Sequence, residues 1–202
     1  MFLNTHTRAL ATLALLIALP ACSSGEPDDD GAGEEELVTQ VMITMTPQGG
    51  GSPVTIMASD PDGDGAGVTF SPATLALAPN TTYTGSIMLA DTINDEDITE
   101  EIEEEAEEHL FQYAFTPASL GTVTITDTES DYTTGNDNGG DFAVGLDFQV
   151  TTGASGSGTL SALLYHFDDA PKAGSTVAPG EAEVDIDVDF PVTIQGLAVT
   201  RR

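Results

Sequence analysis

The stretch Glu183-Val-Asp-Ile-Asp-Val-Asp-Phe-Pro-Val-Thr-Ile194 decides the fold class. Its first eight positions alternate acidic and apolar residues, and successive side chains of a β-strand point to opposite faces of the sheet. The pattern therefore predicts a strand with one face in a core and its acids in water. Because Pro191 has no amide hydrogen to donate, a sheet edge or a bulge is expected at that position.

Shorter runs rich in β-branched and aromatic residues precede this stretch and are separated by clusters of turn residues. The predicted strands cover residues 37–46, 54–58, 68–70, 82–90, 110–115, 122–126, 142–151 and 159–167. The glycine-rich residues 47–53 are expected to join the first two strands as a hairpin. Strands at this spacing predict an all-β fold, an antiparallel immunoglobulin-like β-sandwich.

One short acidic helix is predicted to interrupt the strands at residues 98–109, with Asp97 as its N-cap. Glu105 lies within the apolar stripe of this helix, at 100° per residue. The other members of the stripe are Ile98, Ile102, Ala106 and His109. The remaining glutamates have no lysine four residues away, so packing or a bound cation must offset their repulsion.

The N-terminus predicts a lipoprotein signal peptide over residues 1–21. Arg8 precedes an apolar run at residues 9–19, which is too short to cross a membrane, since a spanning helix takes about 20 residues. The ending Leu-Pro-Ala-Cys22 resembles the bacterial lipobox. That resemblance implies cleavage before Cys22, lipidation of its sulfur and attachment to a membrane, whereas the alternative is an ordinary signal peptide followed by a stray cysteine.

Composition predicts three segments after the signal peptide. Residues 22–36 are expected to be the lipidated cysteine with a disordered acidic tether, residues 37–196 the β-sandwich domain, and residues 197–202 a C-terminal tail. The tether's start, with Ser23 and a run of aspartates, resembles sorting signals of outer-membrane and surface lipoproteins. We therefore expect an outer-membrane location, with exposure at the cell surface left open.

The charge of the chain excludes some partners. It contains 34 Asp and Glu against four Lys and Arg, for a formal net charge of −30. Such a surface repels nucleic acid and attracts cations, so we expect no nucleic-acid partner. The same composition is typical of proteins solvated in a salty habitat.

Glu105, His109 and His166 are the first candidate metal ligands. Glu105 and His109 stand four residues apart, a spacing that helical metal ligands use, and His166 ends a predicted strand. If the helix and the strand meet, the three residues could bind zinc or a similar ion, with Asp168 or Asp169 completing the site. The alternative is two ordinary histidines hydrogen-bonded beside a core.

The second candidate is a calcium loop at residues 60–65, Asp-Pro-Asp-Gly-Asp-Gly. Asp60, Asp62 and Asp64 follow the spacing of the first half of such a loop, and Gly65 permits its sharp turn. The twelfth position is Ser71 in place of a bidentate glutamate. An ordinary Asp-Gly turn is the alternative.

Signals of catalysis are poor in the sequence, and a hydrolase ranks third behind a binding protein and a structural protein. The glycine- and serine-rich residues 153–158 lack the spacing of a nucleophile elbow, and no single pair of carboxylates is set apart from the others. We predict that the protein is not an enzyme.

Several blocks resemble a group of small bacterial outer-membrane lipoproteins. They are residues 80–87, 98–111 and 152–160, and His166 followed by Asp168 and Pro171-Lys172. The resemblance covers roughly residues 37–195 and implies export and lipidation. Some members carry the label of a type 1 periplasmic-binding fold, a two-lobed α/β structure of about twice this length, whereas the strand pattern predicts a sandwich.

Together these features predict a lipid-anchored, extracytoplasmic binding lipoprotein. We expect it to capture a divalent cation or a small ligand for a transport system, with an outer-membrane transporter as a candidate partner. The alternative is a structural or adhesive surface lipoprotein with no specific small ligand.

Overall fold

The computed structural model describes residues 37–63, 65–133, 141–167, 172, 174, 177 and 182–196. The predicted signal peptide, Cys22, the tether and the C-terminal tail lie outside these residues. Ten strands form in the described part: β1 (Gln40–Pro47), β2 (Val54–Ser59), β3 (Thr69–Ser71), β4 (Leu75–Leu77), β5 (Thr82–Ala90), β6 (His109–Thr116), β7 (Gly121–Ile125), β8 (Asp147–Thr152), β9 (Gly156–His166) and β10 (Glu183–Ile194). One α-helix, α1 (Ile98–Glu104), lies between β5 and β6.

The strands form two sheets packed as a sandwich. One sheet has the order β3-β2-β1-β5-β8-β7 and the other the order β4-β10-β9-β6. The neighbours pair antiparallel except β4 and β10, which are parallel. The predicted all-β sandwich with one short helix is confirmed.

The inward faces of both sheets build one apolar core. Alternate residues of β1 are buried, and so are alternate residues of β9, as expected for strands with one face in the interior. The fully buried side chains include Ile43, Met45, Leu160, Ala162 and Leu164. Residues at the strand ends that belong to these inward faces therefore also point into the core.

The alternation in β10 is confirmed from Ile186 onward and wrong before it. The pairing of β10 with β9 shifts between Val184 and Ile186, which marks a β-bulge. A bulge of one residue exchanges the two faces of a strand. As a result Val184 is 50% exposed, whereas the Asp185 side chain, predicted to face water, is only 2% exposed.

The predicted helix is right at its start and wrong at its end. The Asp97 carboxylate accepts a hydrogen bond from the Thr99 amide, and Ile98 and Ile102 are buried. The helix ends at Glu104, however, with no basic residue in its last turn. Acidic residues oppose the dipole at a helix C-terminus, and from His109 the chain instead pairs with β9.

Other differences in the strands are small. The predicted hairpin of β1 and β2 is confirmed, β8 begins five residues later than predicted, and the three-residue β4 was not predicted. Within the described ranges, no helix is both long and apolar enough to span a membrane.

Candidate metal site

His109 and His166 are direct neighbours across two strands. His109 begins β6 and His166 ends β9, and they pair in the antiparallel register. Both side chains face inward and are buried, at 0% and 3% exposure. On this face the next pair along the two strands is Phe111 and Leu164, so the histidines extend a column of core residues.

The chain between α1 and β6 brings a carboxylate to the same place. Glu105 is the C-cap of α1, and four residues later His109 enters β6. One ligand atom from each of Glu105, His109 and His166 lies within 4.8 Å of the other two. The predicted convergence is therefore confirmed, although His109 reaches it from a strand and not from the predicted helix.

The two imidazole rings are stacked. Their centroids are 4.5 Å apart and their planes differ by 30°. Zinc bonds of about 2.0–2.1 Å in a tetrahedral site place ligand atoms about 3.4 Å apart. Because the lone pair of an imidazole nitrogen lies in the ring plane, a shared ion would require the rings to turn from stacking towards convergence.

Hydrogen bonding favours one nitrogen of His109 as a ligand atom. Its Nδ1 lies 3.1 Å from the backbone oxygen of Glu105. A ring N–H that donates to a carbonyl fixes the tautomer and leaves the other nitrogen to bind a metal. With Nδ1 protonated, Nε2 is the nitrogen of His109 whose lone pair could bind a metal ion.

His166 lies between two further carboxylates. Its Nε2 is 3.6 Å from Oε2 of Glu108, and its Nδ1 is 3.8 Å from Oδ2 of Asp185. Sequence analysis did not identify either acid as part of the site, because Asp185 was predicted to face water and Glu108 is not a member of the apolar stripe of the predicted helix. Asp168 and Asp169, which were predicted to complete the site, lie outside the described residues.

A buried lysine supports the chain next to the histidines. The Lys172 Nζ donates to the backbone oxygens of Ala106, His109 and Ala143 at 2.6, 2.7 and 3.0 Å. It also lies 3.0 Å from Oε1 of Glu129. Burial lowers the pKa of the Lys172 ammonium, and the adjacent Glu129 carboxylate opposes that shift. Sequence analysis missed this role, although Lys172 is the only lysine in the chain.

The candidate calcium loop is partly described, because Asp64 lies outside the described residues. Gly65 adopts a φ of +76°, which suits glycine, and its amide donates to Oδ2 of Asp60 at 2.7 Å. Oδ1 of Asp60 is buried without a hydrogen-bond partner among the described residues. Asp60 also lines a cavity of about 290 Å³ between this turn and β10.

Two of the three candidate calcium ligands, Asp60 and Asp62, lie in the described part of the chain. The acids and histidines there converge within 4.8 Å as a group of three only at Glu105, His109 and His166. Asp62, which lies in the same turn as Asp60, does not line the Asp60 cavity. The calcium loop therefore remains a prediction about the turn.

The chain matches no protein-family model, no curated protein and no solved structure. The interpretation of the site therefore rests on its own geometry.

Proposed function

We propose that the protein is a lipid-anchored extracytoplasmic binding protein that captures a divalent transition-metal ion, with zinc as the best fit. The observation that carries the proposal is the convergence of Glu105, His109 and His166 to within 4.8 Å. Two imidazoles and one carboxylate form a ligand set that zinc uses in proteins, with a fourth position left for water or another ligand.

The surroundings of the site support cation binding. The carboxylates of Glu108 and Asp185 lie beside His166, where they would attract a cation. Over the whole chain the formal net charge is −30, and a field of that sign raises the local concentration of cations. The two imidazole rings must turn from their stacked arrangement to bind a shared ion. Their return to stacking would favour release of the ion to a transport system.

One observation favours the structural or adhesive alternative. His109 already has a backbone partner in the Glu105 carbonyl, and the His166 ring packs against it in a stacked pair. Buried histidines with such neighbours can serve packing alone. The two functions therefore differ in one measurable property, which is stoichiometric binding of a metal ion.

Zinc titration of the full-length Cys22→Ser chain tests the proposal. Cys22 is the only cysteine, so this variant removes the thiol as a competing ligand. We expect one zinc ion per chain in calorimetry and native mass spectrometry. X-ray absorption should show two nitrogen ligands at about 2.0–2.1 Å.

Two substitutions on the same acidic segment provide a matched control. Glu105→Gln and Glu100→Gln each remove one negative charge, but Glu100 is exposed and outside the group of three. Glu105→Gln and His166→Gln should each weaken zinc binding at least about tenfold, the lower bound for loss of even an outer partner of a metal site. Glu100→Gln should bind as the parent does. If the parent binds no zinc, or all variants bind it equally, the structural alternative takes first place.

A further inference from the structure

Three methionines form a row across one sheet. Met42 on β1 is directly opposite Met57 on β2 and directly opposite Met88 on β5. The chain has five methionines, and Met45, which is also on β1, is fully buried on the inner face. We call Met42, Met57 and Met88 the methionine row.

The methionine row is on the outer face of the sheet. Its neighbours along each strand, such as Val41, Ile43 and Ile56, are buried on the inner face. Met88 is 48% exposed, and Met42 and Met57 are half-buried. Because the core is built from the opposite face, packing inside the sandwich does not account for the row.

The residues above and below the row on the same face are mostly small or polar. One flanking row is Ser59, Gln40 and Ala90, and the other is Thr55, Thr44 and Ser86. A water-facing sheet surface normally carries residues of this kind. The row is thus a local concentration of thioether sulfur within an otherwise hydrophilic surface.

The geometry of the row allows the three sulfurs to meet. Neighbouring strands lie about 4.8 Å apart, so the outer two backbones are each one strand spacing from Met42. Methionine has three rotatable bonds and adapts to irregular spaces. The three thioethers can therefore gather around one point above Met42.

Carboxylates surround the same place. A shallow cavity of about 390 Å³ is lined by the whole methionine row and by Asp91, Asp95, Glu96 and Asp97. Among the described residues, no lysine or arginine lines it. Asp91 uses its carboxylate to hold the turn after β5 through Ile93 and Asn94. The carboxylates at the rim attract a cation, and thioether sulfurs select a soft metal ion.

We propose that the methionine row is a binding site for a soft monovalent metal ion, Cu(I). Thioethers select Cu(I), whereas magnesium and calcium prefer oxygen ligands. The site lies on the sheet that contains β1, β2 and β5, whereas His109 and His166 belong to the other sheet. It is therefore independent of the proposed zinc site.

Methyl NMR with Ag(I) provides the test, since Ag(I) has the charge and the ligand preference of Cu(I) without its redox chemistry. The sample is the full-length Cys22→Ser chain with ¹³C-labelled methionine methyl groups. We expect the methyl signals of Met42, Met57 and Met88 to shift together. These shifts should saturate when one Ag(I) ion is bound at the methionine row of each chain. The signal of the buried Met45 should stay in place.

Leucine variants separate the row from other ligands. Leucine conserves the volume of methionine and is tolerated well, so Met42→Leu/Met57→Leu/Met88→Leu should fold while losing this saturable binding. Met45→Leu is the matched control and should retain it. In the His109→Gln/His166→Gln background the three methyl shifts should persist, which distinguishes this proposal from the zinc proposal. Unmoved methyl signals, or undiminished Ag(I) binding in the triple variant, would overturn it.

Discussion

At the scale of single residues, Lys172 is a charged side chain in the protein interior. Its ammonium and the Glu129 carboxylate are almost completely buried, with side chains 0% and 1% exposed. Three backbone carbonyls accept from the same ammonium. Removing a charge from water is costly unless it is paired and hydrogen-bonded, and the Lys172 ammonium meets both conditions. Lys172 thereby holds the chain segment that presents Glu105 and His109.

Lys172→Met should lower the free energy of unfolding by about 3–5 kcal/mol, because it leaves the Glu129 carboxylate buried without its cation. Chemical denaturation measures the change. Adding Glu129→Gln removes the stranded charge, so the double variant should lose less stability than the two single losses combined. Strict additivity of the two substitutions would contradict the ion pair.

At the scale of elements, a β-bulge and a turn determine where the side chains of Asp185 and Asp60 lie. The bulge in β10 turns Asp185 inward beside His166, and the turn after β2 folds Asp60 back on the amide of Gly65. β-bulges often re-aim a side chain at a site. Both acids line the cavity between this turn and β10, which makes the turn a suitable place to test the calcium prediction.

Calcium should raise the melting temperature of the protein more than magnesium does at matched ionic strength. The buried Oδ1 of Asp60 would become a ligand of the calcium ion. An ion that binds only the folded state stabilises that state by mass action. Asp62→Asn should remove most of the difference between the two ions. If calcium and magnesium raise the melting temperature equally in the parent and in the variant, the stabilisation comes from charge screening and the calcium prediction is wrong.

At the scale of the whole molecule, the predicted lipid attachment and the net charge bear on the proposed location of the protein. Arg8 lies in the predicted signal peptide, so cleavage before Cys22 would leave a chain with a larger negative net charge. A single acyl chain binds a membrane only marginally, and stable attachment needs at least two. Stable attachment through Cys22 would therefore require a lipid with at least two acyl chains on that cysteine.

Cys22→Ser should abolish labelling of the protein by radioactive palmitate in bacteria, because the predicted lipid would be attached through the cysteine sulfur. The variant should also move from the membrane fraction to the soluble fraction. Fluorography of immunoprecipitated protein and membrane fractionation measure the two outcomes. A variant that still takes up label and still sediments with membranes would contradict lipidation at Cys22.

Local patterns were enough to predict the sandwich. β5 and β10 were predicted with their observed bounds, since alternation and turn residues act within a few positions of the chain. The N-cap Asp97 and the buried Ile98 and Ile102 were predicted for the same reason. The three candidate zinc ligands were also named from the sequence, on the assumption that helix and strand meet.

Tertiary structure decided the features that depend on residues distant in sequence. The pairing of His109 with His166 ended the helix early and put His109 on a strand. A register shift against β9 buried Asp185, and only the order of β2, β1 and β5 aligned the methionine row. Alternation specifies which residues share a face of one strand, but the register between strands is set by long-range packing. The sequence therefore determined the class of fold and the chemistry available, and the tertiary structure determined which side chains meet.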